Sequence, residues 1–185
     1  MNILVFGGQG SGKSTHAKYI AEKLGIPYVY TGDLFRELEG EESERGKKIR
    51  DLTSKGILIP NELAISAFEE YIKNFDLSKG LVLDGFPRNL GQARVLQLKI
   101  NLIIYITLPE NTAIQRLMER KRYDDIPQAI KKRLDLYKEE TRPLLYFYKK
   151  KGVKIVEIDN TPSVEEVRAS IDGFLEKQSR NKNNA

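Results

Sequence analysis

Five short, predominantly apolar runs punctuate the chain: Ile3–Phe6, Tyr28–Tyr30, Leu81–Leu83, Leu102–Ile106 and Val153–Ile158. Each is rich in branched and aromatic residues and is followed by turn or cap residues. A strand covered on both faces needs near-continuous hydrophobicity rather than alternation, so these runs predict buried parallel strands. Between them, apolar positions recur at helical spacing: Ala17, Ile20, Ala21 and Leu24; Ile65, Phe68, Ile72 and Phe75; Ile114, Leu117 and Met118. Strand and helix patterns in alternation predict βαβ units and an α/β fold.

Two stretches depart from simple alternation. The segment from about Asp33 to Phe75 is longer than a crossover needs and contains the acidic run Glu39 to Glu44, which predicts a helical insert over the carboxyl edge of the sheet. Near the end, Ser163 and Glu166 form a capping box ahead of Val164, Val167, Ile171 and Phe174, so a last helix is expected to pack on the sheet. The polar tail from Gln178 to Ala185 is expected to fray.

With 185 residues, 40% of them hydrophobic, the chain suits one α/β core. No apolar run approaches the roughly 20 residues of a membrane span, and Met1-Asn2-Ile3 lacks a signal-peptide layout, so a cytoplasmic location is expected. The absence of cysteine excludes disulfides, thiolate metal sites and cysteine nucleophiles, and the single histidine, His16, is read as packed or solvated rather than as a base. A net charge of +5 favours anionic partners without choosing among them. Lys149, Lys150 and Lys151 read as a solvated helix face.

The candidate chemistry begins where the first strand ends. Gly7-Gly8-Gln9-Gly10-Ser11-Gly12-Lys13-Ser14-Thr15 satisfies G-x-x-x-x-G-K-[ST] between a strand and a helix. Glycines let the backbone wrap an anion, successive N–H groups point inward, and the helix N-terminus adds roughly half a positive charge. Lys13 is placed to reach the β- and γ-phosphates and Ser14 to meet Mg²⁺. This loop serves many phosphotransferases and NTPases, so other residues must identify the acceptor.

Those residues are Tyr30-Thr31-Gly32-Asp33-Leu34-Phe35-Arg36 after the second strand and Leu83-Asp84-Gly85-Phe86-Pro87-Arg88 after the third. Together with the loop, and with Asp159-Asn160-Thr161 after the last strand, they resemble the adenylate kinase family over nearly the whole chain. The resemblance implies a P-loop NTPase-type three-layer fold with a five-stranded parallel sheet in the order 2-3-1-4-5. It also implies one domain over residues 1–185, with a monophosphate-binding insert at 31–75 and a lid near 119–126. The implied activity is reversible, Mg²⁺-dependent in-line transfer from ATP to AMP giving two ADP. By position, Thr31, Gly32, Arg36, Ile57, Leu58, Ile59, Gly85, Phe86, Arg88 and Gln92 would bind AMP. Gly8, Gln9, Gly10, Ser11, Gly12, Lys13, Ser14, Thr15, Arg116, Arg120 and Pro162 would bind ATP. Arg guanidinium forks suit phosphate oxygens, and a buried Asp84 needs a compensating cation, which Mg²⁺ supplies through water, with Asp33 in support.

Lys13, Arg88, Arg120, Arg122 and Arg133 are the expected catalytic set. Arg116 and Arg120 lie four apart on one helix, and Arg122 and Arg133 flank a second helix expected to begin near Asp124 and Asp125, which would cap it and pair with the arginines. Only Lys121 separates Arg120 from Arg122, so the lid is shorter than the family's short class and lacks the zinc-type lid; no structural zinc is expected. A minimal lid predicts faster product release or some ATP hydrolysis.

The nearest alternative is a UMP/CMP kinase, yet Thr31 and Gln92 match the adenylate enzymes. A basic nucleotide-binding ATPase that docks RNA is the alternative from another class. No basic stripe interleaved with exposed aromatics supports it, since Tyr146, Phe147 and Tyr148 suit a packed helix. Small-molecule partners ATP, AMP and ADP and a monomer are expected, without membrane or nucleic acid.

Overall fold

A computed structural model describes residues 1–120 and 122–183. Five strands, β1 (Asn2–Phe6), β2 (Tyr28–Tyr30), β3 (Leu81–Asp84), β4 (Leu102–Thr107) and β5 (Lys154–Asp159), form one parallel sheet in the order β2-β3-β1-β4-β5. The expected strand order is therefore observed. β5 begins one residue later than the hydrophobic run, because the Val153 N–H donates to the Tyr148 carbonyl at 3.0 Å and closes the preceding helix.

Side chains alternate across a strand, so each buried strand feeds two cores. Leu4 and Phe6 of β1, with Val29, Leu83 and Ile103, face α2 (Thr31–Glu39), α3 (Glu44–Ser54), α4 (Asn61–Ile72), α5 (Leu90–Val95) and α8 (Leu144–Lys150). Ile3 and Val5, with Val82, Ile104 and Ile106, face α1 (Lys13–Leu24) and α9 (Val164–Asn183). A third, small cluster of Leu117, Ile130 and Leu134 joins α6 (Glu110–Arg120) to α7 (Pro127–Leu136).

The long segment after β2 is helical, as expected, and its three helices lie on one core face. The capping box also forms: Glu166 N–H donates to Ser163 Oγ at 3.3 Å and Ser163 N–H to Glu166 Oε2 at 2.9 Å. Val167, Ile171 and Leu175 then bury against the sheet, while Val164 stays exposed. The helix is continuous past Gln178 to Asn183, and no Gly or Pro interrupts it there. Residues 184–185 of the expected tail lie outside the described residues.

Ile171 has no solvent exposure. Ile171→Ala should lower unfolding stability by about 3 kcal/mol, a cavity-forming loss of ordinary size. It should move the urea midpoint without changing the slope; an unchanged midpoint would show that α9 is not docked on the sheet.

Candidate active site

All five strands run parallel, so their carboxyl ends share one edge, and a cleft of about 690 Å³ opens there. Its floor is the turn from β1 into α1. Gly12 caps α1 with φ of 82°, and Gly10 has φ of 79°, both in the left-handed region that favours glycine. A Cβ on Gly10 would also stand 2.5 Å from the Ala113 carbonyl oxygen, so backbone packing alone demands glycine there. Among the described residues nothing accepts from the N–H groups of Gly12, Lys13 and Ser14. Three free amides at a helix N-terminus, with Lys13 beside them, make a site for a polyanion. Gln9, Ser14 and Thr15 also line the cleft, whereas Gly8 and Ser11 line an adjoining hollow of about 270 Å³ next to Tyr137 and Lys138.

Asp84, last residue of β3, has no solvent exposure and pairs in register with Val5. Its Oδ2 accepts from the Ser14 hydroxyl at 2.5 Å and the Tyr28 hydroxyl at 3.1 Å, while Oδ1 has no partner among the described residues. Burial first, and then the Asp84 charge, pushes the Tyr28 hydroxyl well above the usual tyrosine range, so it remains a donor. An orphaned carboxylate oxygen beside a serine hydroxyl fits a hydrated divalent cation. The described residues contain no cluster of three or more acidic, histidine or cysteine ligands. A cation held there would depend on Ser14, water and the substrate's own oxygens, as Mg²⁺ tolerates.

Arg36 and Arg88 line the same cleft with Gly32, Ile57, Leu58, Ile59, Gly85 and Phe86. Arg88 Nε donates to the Gly85 carbonyl at 2.9 Å, and the guanidinium has no carboxylate partner among the described residues. Burial pulls its pKa down, which an incoming anion would reverse. Arg36 lies 5.2 Å from the Tyr30 ring centroid and pairs with Asp33, so Asp33 is engaged by an arginine in this structure. Gln92 is buried, its Oε1 accepting from the Arg88 N–H at 2.7 Å and its Nε2 donating to Asn61 at 3.2 Å. Thr31 is fully buried under Asp84, reaching its carbonyl at 3.4 Å, and does not line the cleft; nor does Pro162, which is exposed.

The arginine cluster closes the third side. Arg120 binds Asp125 through two hydrogen bonds of 2.8 and 2.7 Å, and Arg133 spans Asp124 at 2.8 Å and Asp125 at 2.9 Å. These carboxylates pair as expected but do not cap a helix, because α7 starts at Pro127 with Ile126 as its N-cap. Proline at the first helical position needs no N–H acceptor, so no capping side chain is required. Arg116 and Arg122 also face the cleft, and Lys121 lies outside the described residues. Tyr123 reaches across to the insert, donating to Glu39 at 2.6 Å.

A family model described as adenylate kinase matches residues 5–153. Curated relatives include an adenylate kinase of Thermobifida fusca, 37% identical over 178 residues, 90% of this chain and 94% of that protein. An adenylate kinase of Bartonella tribocorum is 36% identical, covering 95% and 100% of the two chains, and one of Archaeoglobus fulgidus is 33% identical, covering 96% and 99%. The chain belongs to the adenylate kinase family. It is a nucleoside monophosphate kinase.

The cleft thus gathers most of the residues singled out in the sequence, while the part of Tyr28 carried no recognisable signal and Asn160 stood out only within Asp159-Asn160-Thr161, with no role attached. Tyr28 reads as one more aromatic in a buried strand, and its bond to Asp84 depends on strand pairing. Arg120 and Arg133 meet on Asp125, and Asp124 pairs with Arg133, so the two carboxylates offset part of the repulsion between these arginines.

Burial alone would raise the Asp125 pKa, but hydrogen bonds from Arg120 and Arg133 outweigh it and hold the carboxyl below its usual value. Its folded pKa is therefore depressed below the unfolded one. That stabilisation is complete above the unfolded value of about 3.9 and drains as pH falls towards the folded value. Urea midpoints between pH 6 and pH 3 should fall more steeply for the native chain than for Asp125→Asn, and parallel curves would remove the stabilising role of this pair.

Proposed function

We propose that this adenylate kinase catalyses reversible transfer of the terminal phosphoryl group of Mg²⁺-bound ATP to AMP, giving two ADP by direct in-line displacement. The observation that carries this reading is the confluence of two cation sets in one cleft. Lys13 and the free amides of the loop, Arg36, Arg88 without a carboxylate partner among the described residues, and the buried Asp84 all belong to it. Two phosphate-bearing substrates need two such cradles, and negative charge must be neutralised along the path between them.

In this reading residues 31–75 form the monophosphate-binding insert and about 119–126 a minimal lid on a single domain. Gly8 to Thr15 and Arg116 hold the donor, with backbone near Pro162 against its base. Thr31, Gln92 and the wall at Ile57–Ile59 address the acceptor base, which requires Gln92 to exchange Asn61 for the ligand and Thr31, buried under Asp84 and outside the cleft lining, to be uncovered. Arg36 and Arg88 orient the acceptor phosphate. Lys13, Arg120, Arg122 and Arg133 offset charge on the phosphoryl in flight, Arg120 and Arg133 from positions held by Asp125. Ser14 directly and Asp84 through water would hold Mg²⁺, which would supply charge neutralisation at the donor phosphates. No phosphoenzyme forms, and the enzyme acts as a cytoplasmic monomer on small molecules alone.

A phosphotransfer assay with ATP or GTP as donor and AMP, CMP, UMP, GMP or dAMP as acceptor tests this directly. ADP from ATP plus AMP should far exceed every other product; a pyrimidine preference would overturn the roles of Thr31 and Gln92. Lys13→Met should lower kcat by about 10²–10³-fold while leaving the thermal midpoint in place. Arg88→Ala should reduce kcat/KM for AMP by about 10²-fold, the loss of a charged hydrogen-bonding pair, and an unchanged value would contradict its role. Through its short lid, the enzyme should also hydrolyse ATP measurably without acceptor, and a rate negligible beside transfer would remove that consequence.

A further inference from the structure

We propose that Asn160, oriented by His16, fixes the direction of the Ser11–Gly12 peptide and so aims the Gly12 N–H at the donor's phosphates, making it a positioning residue for phosphoryl transfer. The inference rests on reading Gly8 to Thr15 as the donor cradle.

Asn160 follows β5 and is 4% exposed. Its own N–H donates to the Thr107 carbonyl at 2.9 Å, which pins its backbone to the end of β4. Its side-chain Nδ2 lies 2.7 Å from the Ser11 carbonyl oxygen, and its Oδ1 lies 2.8 Å from His16 Nε2. The direction of both bonds follows from chemistry. A carbonyl can only accept, so the amide nitrogen faces Ser11 and the amide oxygen faces His16. His16 must then carry its proton on Nε2. Its Nδ1 is a buried atom without a partner among the described residues, and burial lowers the pKa of the ring, so the imidazole stays neutral and its tautomer is set.

The consequence falls on the next amide. The Ser11–Gly12 bond is trans, since the single cis peptide among the described residues is Phe86–Pro87. In a trans peptide the carbonyl and the following N–H point in opposite directions. Tying the Ser11 carbonyl back to Asn160 therefore turns the Gly12 N–H away from Asn160, and this amide has no acceptor among the described residues. Glycine rotates at little cost, so a peptide bordered by Gly12 flips easily unless something holds it. A flipped peptide would present a carbonyl oxygen to phosphate, replacing an attraction with a repulsion. Packing agrees with this role, because a Cβ on Gly12 would collide with Asn160 Nδ2. Arg116 Nη2 also reaches the Asn160 carbonyl at 3.4 Å, so the same residue touches the cleft's donor side twice.

The test uses the full chain with MgATP and AMP. Asn160→Ala removes the tie, and Asn160→Asp keeps the shape but cannot donate to Ser11. Both should raise the KM for ATP and lower kcat, about tenfold together in kcat/KM for ATP, while the KM for AMP stays within about twofold. His16→Gln keeps a donor near Nε2 and should restore native values, whereas His16→Leu should reproduce the defect. In ¹⁵N-labelled protein, the Gly12 amide should shift on adding MgATP in the native chain and stay still in Asn160→Asp. Folded Asn160 variants with native kcat/KM for ATP would overturn the proposal. If neither folds, equal kinetics for His16→Gln and His16→Leu would overturn it as well. A native chain that fails to bind ATP by calorimetry would instead defeat the cradle reading itself.

Discussion

The constraint on which the site turns is a carboxylate with no access to water. Asp84 sits at the end of β3, beside a loop whose free amides invite phosphate, and such a charge is costly to bury unless it is hydrogen-bonded. Ser14 from α1 and Tyr28 from β2 meet that requirement on one oxygen only. Three separate elements are thereby drawn to one point at the carboxyl edge of the sheet. The remaining oxygen has no partner among the described residues, so the bonds that satisfy half of the carboxylate leave the other half open to the cleft's contents.

The same economy recurs at the rim. Arg120 and Arg133 would repel each other in an empty cleft, yet both are anchored on Asp125, whose carboxyl is fully buried. Anchoring lowers the entropy that long side chains would lose on meeting a ligand, and it leaves Arg116 and Arg122 facing the cleft. Arg88 is the complement of this arrangement: a buried guanidinium held by the Gly85 carbonyl, with no carboxylate partner among the described residues and its pKa lowered by burial.

The contrast between Lys13 and Asn160 separates two kinds of functional residue. Lys13 lies within a motif whose spacing is contiguous in the chain, so its role follows from eight neighbouring letters. Asn160 acts on Ser11 from 149 positions away, through a bond that exists only because β5 lies beside β4 and α1 packs on the same sheet face. His16 looked like a packed or solvated histidine because nothing near it in sequence offers a partner; its partner is 144 positions distant.

The sequence by itself determined the sheet, the glycine-rich turn into α1, the helical segment after β2 and the arginine-rich edge. Strand hydrophobicity, helical period and the glycine-lysine spacing are local properties, and the strands in the chain match the runs within one residue. It also marked Asp84 as an acid that would need compensation. Only the tertiary structure decided how that compensation is shared between Ser14 and Tyr28, that Asp124 and Asp125 bind arginines without capping a helix, and that His16 and Asn160 stand behind the loop. These are contacts between side chains far apart in sequence. Local pattern constrains which face a residue occupies; which atom it meets there is set by strand order, register and helix packing.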